Sequence, residues 1–340
     1  MAGRSPFSKL FSKKEFHPTY VEMPMDPNEP CYSLSFSADQ VEEYKRFFDE
    51  YGYVVVRDVL TADDCQATID DIWTYLETGA FGGIDPGIKR DNPSTWTKGW
   101  PPMQKSGILG VLPVFTKRAQ DNRQNPRVYE VFANILGEKE LMVNQDRYGL
   151  FRPTIEEDGT VHDEWKTVRN VHLDMNPWVY TLPRGKGEEY DVSKLDYLSN
   201  SHFFEENNHP GRLQDGKLHL QGFHKIFKEW TDCNRRDLGK KYADQRTFIS
   251  IPEEDPVWSH AQRLTGRAGS LFVWNQLVAH GSAPNNSTRA RYAQFLKYQS
   301  AVSLESNRGH MRKEVLSCHV QHYGVALTEL GQKLLSQRSW

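Results

Sequence analysis

The sequence predicts a mainly β chain with flanking helices, an α+β fold whose strands close into a β-sandwich or rolled barrel. Three observations predict it. Helical periodicity gathers in the N-terminal part, short β-branched or aromatic runs follow at close spacing, and Gly, Pro and Asn punctuate the junctions between them.

In "SADQVEEYKRFFDEYG" the residues Val41, Tyr44, Phe47, Phe48 and Tyr51 recur at helical spacing behind a Ser37 cap, and Gly52 ends the pattern. "YVVVRDVL" is short and β-branched, hence a strand. Thr61 then caps a second helix through "ADDCQATIDDIWTYLE", with acids in its first turn. The Gly/Pro/Trp-rich stretch from Gly79 to Gly110 is too punctuated for regular structure and too aromatic for a disordered linker, which predicts a long ordered loop. Its Trp96, Trp100 and Met103 either line a pocket mouth or pack on the core. "NPRVYEVFANILG" reads as a helix and "ELMVNQDRYGLFRP" as a strand, along which Asn144, Tyr148, Leu150 and Arg152 share facing parity and are pocket candidates. "TVRNVHLDMNPWVY" is the next strand, with Trp178 a further pocket candidate. A polar stretch from Thr181 to Lys217 reads as an inserted loop region. "LHLQGFHKIF", "QRTFISIP", "GSLFVW", "LVAHGSAP" and "RARYAQFLKYQSAV" supply the remaining strands.

Composition narrows the function classes. The chain has 340 residues, 38% hydrophobic and 26% charged, within the ordinary range for a globular protein. No apolar run approaches the roughly 18–20 residues that cross a bilayer, so no membrane role is expected. A formal charge of −3 with scattered basic residues gives no electrostatic footprint for nucleic acid. Cys31, Cys65, Cys233 and Cys318 form no CxxC pair, which predicts reduced thiols in a cytoplasmic setting. Residues 1–35 read as a flexible tail and 36–335 as one domain.

The chemistry starts in "RNVHLDMNPW". In a strand His172 and Asp174 point to the same side, where an unpaired buried charge costs several kcal/mol unless something such as a metal ion offsets it. His-x-Asp alone is a short pattern, and a chain with 12 histidines yields roughly one by accident. A third ligand is needed. His280, in "AGSLFVWNQLVAHGSAPNNSTRARYAQF", supplies it. A tight reversal at Asn285–Asn286 would make His280 and Arg291 cross-strand neighbours, with Arg289 the runner-up if the turn is longer. Two imidazoles and one carboxylate on one side of Fe(II) leave adjacent positions open; 2-oxoglutarate can take two, its far carboxylate reaching an arginine fork such as Arg291.

Other clusters are weaker. His162 and Glu164 lie in an acidic loop and read as solvated; His319 and His322 are three apart but lack a third partner. His219 and His224, an odd number apart, would face opposite ways on a strand, and Arg184 and Lys186 read as solvated loop charges unless they meet an anionic substrate group.

His172-x-Asp174, the block "GSLFVWNQLVAHGSAPNNS" and an arginine eleven positions after His280 resemble the phytanoyl-CoA dioxygenase family of Fe(II)/2-oxoglutarate oxygenases. The similarity spans most of the chain, from "FFDEYGYVVVRDVLTADDC" to "LTELGQKLL", which is similar to the family's C-terminal helix. The resemblance implies a double-stranded β-helix (jelly-roll, cupin-like) core. It implies His172, Asp174 and His280 as metal ligands, and Ser282 and Arg152 beside Arg291 as cosubstrate contacts, Arg152 standing where Lys is more usual. The implied reaction uses dioxygen and 2-oxoglutarate, releases succinate and carbon dioxide, and by default hydroxylates a C–H bond of a small or medium organic molecule. Because Asp174 keeps the carboxylate ligand, halogenation is disfavoured. Two alternatives stand beside this expectation: a binding or sensing protein that kept the site without turnover, and a cupin-like metalloenzyme needing no cosubstrate.

Overall fold

The computed structural model describes residues 21–79, 87–97, 100–101, 104–168, 170–174, 176, 199–204, 217–242, 249–301 and 306–340. Two antiparallel sheets form its centre. The larger runs β1 (Tyr53–Val56), β9 (Ser270–Asn275), β5 (Ser199–Phe204), β11 (Arg291–Ser300) and β2 (Leu141–Asn144), with β3 (Tyr148–Phe151) also on β11. The smaller runs β7 (Ile249–Ser250), β4 (Asn170–Leu173), β10 (His280–Ser282), β6 (Lys217–His219) and β8 (Gln262–Leu264).

Both β1 and β9 are buried along their whole length, which is why "YVVV" and "SLFVW" are continuous apolar runs rather than alternating ones. One face of the larger sheet packs on helices. α1 (Val41–Tyr51) and α4 (Pro126–Leu136) place Tyr44, Phe47, Phe48, Val131 and Phe132 against Leu271, Val273, Leu296 and Tyr298. α2 (Ala62–Glu77) places Ile69, Ile72, Trp73 and Leu76 against Tyr148 and Leu150. α3 (Lys117–Arg123) meets buried Gln294, whose amide donates to the Ala119 carbonyl (2.9 Å) and accepts from Asn122 (2.7 Å). The smaller sheet is backed by α5 (Phe223–Asn234), which buries Phe223, Phe227 and Trp230 against Val171, Leu173 and Ile249. α6 (Ser306–His322) and α7 (Glu329–Leu334) close the chain.

Thr61 and Asp64 form a reciprocal capping box on α2, a feature worth about 1 kcal/mol. Several sequence expectations are corrected. Ser37 does not cap α1; its carbonyl accepts from Gln40, and the helix begins after Gln40. "LHLQGFHKIF" is a strand only through His219 and then a helix, because Phe223, Phe227, Trp230 and Thr231 follow a 3.6-residue period. The Thr181–Lys217 stretch contains β5, paired between β9 and β11. The tail is docked from residue 21 onward: Met23 donates to Gln262 (2.8 Å), Ser33 to Thr265 (3.0 Å), and Arg267 lies 4.2 Å over the Tyr32 ring.

"ELMVNQDRYGLFRP" forms two strands, not one. Lys297 stands opposite Asn144 whereas Gln294 stands opposite Tyr148, so the register slips by one residue across Gln145–Arg147. Asn144 and Tyr148 therefore lose their shared facing.

The reversal predicted at Asn285–Asn286 is also different. β10 belongs to the smaller sheet and β11 to the larger, so residues 283–290 cross between sheets and His280 is not a cross-strand neighbour of Arg291. Asn285 holds the crossing. Its buried amide donates to the carbonyls of Phe151 (3.0 Å), Arg152 (3.0 Å) and Arg289 (2.7 Å). We expect Asn285→Ala to lower unfolding free energy by about 2–4 kcal/mol in urea denaturation, since buried carbonyls lose their donor. A change below about 0.5 kcal/mol would show that the crossing is held by other contacts.

Candidate metal centre

Strand register builds the site. On β10 and β4, His280 and His172 are directly opposite, which puts both side chains on one face. Their ring centroids are 4.6 Å apart. Asp174 follows β4 immediately and returns to the same face, its Oδ1 3.5 Å from His172 Nε2 and its Oδ2 3.6 Å from His280 Nε2. One ligand-capable atom from each of the three lies within 4.8 Å of the others, a spacing that suits donors around a common ion. Among the described residues no other group of three or more His, Cys, Asp or Glu meets this test.

Tautomer and charge suit ligation. His280 Nδ1 donates to the Val278 carbonyl at 2.9 Å, which orients the ring with Nε2 turned toward Asp174. Burial alone would push the Asp174 carboxyl up, but Lys297, His280 and His172 together hold it well below the usual carboxylate range. The carboxylate is thus anionic near neutrality.

Gly281 is required between the two sheet neighbours. A Cβ there would sit 1.6 Å from the Asn170 carbonyl oxygen, so any side chain forces β10 off β4. Ser282, the next residue, is half-buried and its backbone N–H donates to Asn170 Oδ1 at 3.0 Å.

Two rows of residues face each other across the space between the sheets. Gln262, His219, His280, His172 and Ser250 stand side by side on the smaller sheet. Tyr53, Trp274, Asn200, Lys297 and Asn144 form the register row of the larger sheet. The rows touch: Tyr53 packs on His219 (ring centroids 4.7 Å), Trp274 on His280 (4.9 Å), and Lys297 Nζ is 3.7 Å from Asp174 Oδ2.

Lys297 was not singled out from sequence, and His219 was weighed there only beside His224. His219 is buried beside His280, not on a long strand with His224, which instead lies in the first turn of α5 and meets the Asp49 carbonyl. The signal for Lys297 was available: it shares odd numbering with Arg291 on an alternating strand.

The other candidates are placed as follows. Arg291 is buried at the start of β11, its guanidinium 3.7 Å from the Phe151 ring centroid and 3.3 Å from the Ala283 carbonyl. Arg289 is exposed on the crossing segment. Arg152 is buried in an aromatic cage, donating to the Trp96 carbonyl (2.7 Å) and lying 4.3 Å over Trp100 and 5.1 Å over Trp165; burial lowers its pKa to about 10, against the pull of Glu164. Asn144 accepts from Arg312 at 3.2 Å. Tyr148 does not look into the intersheet space; after the register slip it faces the helices and donates to Asp71 at 2.6 Å, with Leu150 in the same cluster. Trp96 packs with Trp73 and Trp165. His162 bridges Glu156 and Glu164, while His319 stacks near Phe115 and Tyr323, away from the triad. Trp178, Met103, Arg184 and Lys186 lie outside the described residues.

A His/Asp/His cluster with its ligand-capable atoms gathered between two antiparallel sheets is a donor set that could hold a divalent metal ion. No protein-family model matches the chain. It is 31% identical over 334 aligned positions, 86% of its own length and 90% of the relative's, to a Dictyostelium discoideum protein described as "Putative phytanoyl-CoA dioxygenase". The chain belongs to the phytanoyl-CoA dioxygenase family, a family of oxygenases. Among solved structures it is similar to EctD from S. alaskensis with 2-oxoglutarate and 5-hydroxyectoine (TM-score 0.45, 15% identity, 87% of this chain and 89% of that one). It is also similar to the epimerase SnoN in complex with Fe3+, alpha ketoglutarate and nogalamycin RO (TM-score 0.48, 13% identity, 77% and 84%). Among the described residues no helix is long and apolar enough to cross a membrane.

Gly281→Ala tests the register. We expect it to weaken Co(II) binding on the order of tenfold or more and to cost about 1–3 kcal/mol of stability. Unchanged Co(II) affinity in a folded variant would mean that the β4–β10 approach does not set the site.

Proposed function

We propose that this protein is an Fe(II)/2-oxoglutarate-dependent dioxygenase with a double-stranded β-helix core, hydroxylating a C–H bond of a small or medium organic molecule. The observation that carries it is the convergence of His172, Asp174 and His280 within 4.8 Å. Two imidazole nitrogens and one carboxylate oxygen are the donor set that suits non-haem iron, and they leave the remaining positions to exchangeable ligands. When bound, the iron supplies dioxygen reduction at the expense of 2-oxoglutarate, which leaves as succinate and carbon dioxide.

The chain's own groups do the rest. His172 and His280 would hold the ion through ring nitrogens, and the Val278 carbonyl fixes the His280 ring. Asp174 supplies the anionic ligand. Arg291, buried at the start of β11, would take the far carboxylate of the cosubstrate through its planar fork, with the Ser282 hydroxyl in support. Trp274 and Tyr53 close the His280 flank to water. The triad retains its carboxylate, which favours oxygen transfer over halide transfer.

The test is an anaerobic titration with Fe(II) and 2-oxoglutarate, followed by visible charge-transfer absorbance, and then succinate measurement on admission of air. We expect Asp174→Ala to abolish the absorbance and to lower succinate release on the order of 100-fold or more. Arg291→Ala should weaken 2-oxoglutarate binding by about 10- to 100-fold while metal affinity holds. If the wild-type protein gives no absorbance with both components, the assignment fails. Wild-type affinity for 2-oxoglutarate in Arg291→Ala would instead point to a metalloenzyme without this cosubstrate.

A further inference from the structure

The larger sheet's face carries two cations toward the intersheet space, and the proposed function uses one. Arg291 and Lys297 lie on the same side of β11, six residues and about 20 Å of strand apart. Lys297 Nζ is 3.7 Å from Asp174 Oδ2, and its side chain is 38% exposed, so it reaches from the sheet to the open edge of the site. Among the described residues Asp174 is its acidic partner, and a metal ion would claim that carboxylate.

Among the described residues the surrounding rows offer no replacement. Asn200 and Asn144 stand beside Lys297 in the register of its own sheet, with Trp274 and Tyr53 beyond Asn200, and Gln262, His219, His280, His172 and Ser250 stand opposite; among these described positions there is no carboxylate. The charge inventory then becomes decisive. A dication, the Asp174 carboxylate, a dicarboxylate cosubstrate and the Arg291 guanidinium sum to neutrality; Lys297 then leaves one positive charge over at the open edge of the site, beside the metal position.

We propose that Lys297 is the substrate-orienting cation of this site and that the substrate carries an anionic group, a carboxylate or phosphate monoester, that meets the ammonium beside the metal. The inference rests on the proposed iron and 2-oxoglutarate centre. The Lys297 stem is flexible, so the ammonium leaves Asp174 when the ion arrives and turns toward the incoming anion. A neutral substrate would leave the ammonium facing the dication.

The experiment uses the anaerobic Fe(II)/2-oxoglutarate-loaded protein and reads shifts of its charge-transfer band. The probes are octanoate, 3-phenylpropionate and octyl phosphate, each beside its methyl ester or dimethyl ester. We expect at least one acid to bind about tenfold or more tighter than its ester, Lys297→Met to erase that preference and Lys297→Arg to keep it. Affinity for 2-oxoglutarate should stay within about twofold of wild type in Lys297→Met, which separates a substrate role from a cosubstrate one. Esters that bind as well as acids, a panel in which no acid binds, or weakened 2-oxoglutarate binding in Lys297→Met would each overturn the assignment. A wild-type protein that forms no charge-transfer band overturns the metal centre itself, and the lysine's role with it.

Discussion

The direct opposition of His172 and His280 across β4 and β10 is the constraint on which the site depends. It is a backbone property, fixed by hydrogen-bond register and by the absence of a side chain at Gly281, before any metal is present. Everything else adjusts to that pair. Asp174 follows β4 without intervening residues, the Val278 carbonyl fixes the tautomer, and the second sheet is held close enough for Trp274 to press on His280. A one-residue slip would turn one imidazole out of the space, and no rotamer change could restore the triad.

Positioning the two sheets is the larger task, and buried polar side chains share it with the apolar core. Asn285 ties the crossing segment to both Phe151 and Arg152, and Gln294 ties β11 to α3. Each saturates carbonyls that would otherwise be stranded where strands leave their ladders. The helices supply bulk and the amides supply alignment.

Local patterns carried much of this in the sequence. The Thr61 cap, the Asn125–Gly137 helix and the fully buried β1 and β9 follow from propensity and periodicity, and the His-x-Asp pair follows from strand alternation. What the sequence hid was non-local. Asn285–Asn286 carries the chemistry of a tight turn, yet the Asn285 side chain spends its donors on distant carbonyls and the chain changes sheets. The slip at Gln145–Arg147 inverted the facing of Tyr148 because alternation cannot be extrapolated through an interruption. His219 was misjudged for a related reason: its strand ends at once, and its neighbour in space is His280 rather than His224. Arg291 stands apart from these cases, since the argument for its pairing with His280 failed while its burial between the sheets still suits the role expected of it.

Trp274, Tyr53 and buried His219 stand in a continuous wall along one flank of the triad, while His172 and Asp174 are only partly covered on the other. Among the described residues the less covered side of the triad is therefore the carboxylate side. A bulky chelator withdrawing an ion held there would come past Asp174 rather than past the aromatic wall, so crowding at the carboxylate would slow its extraction.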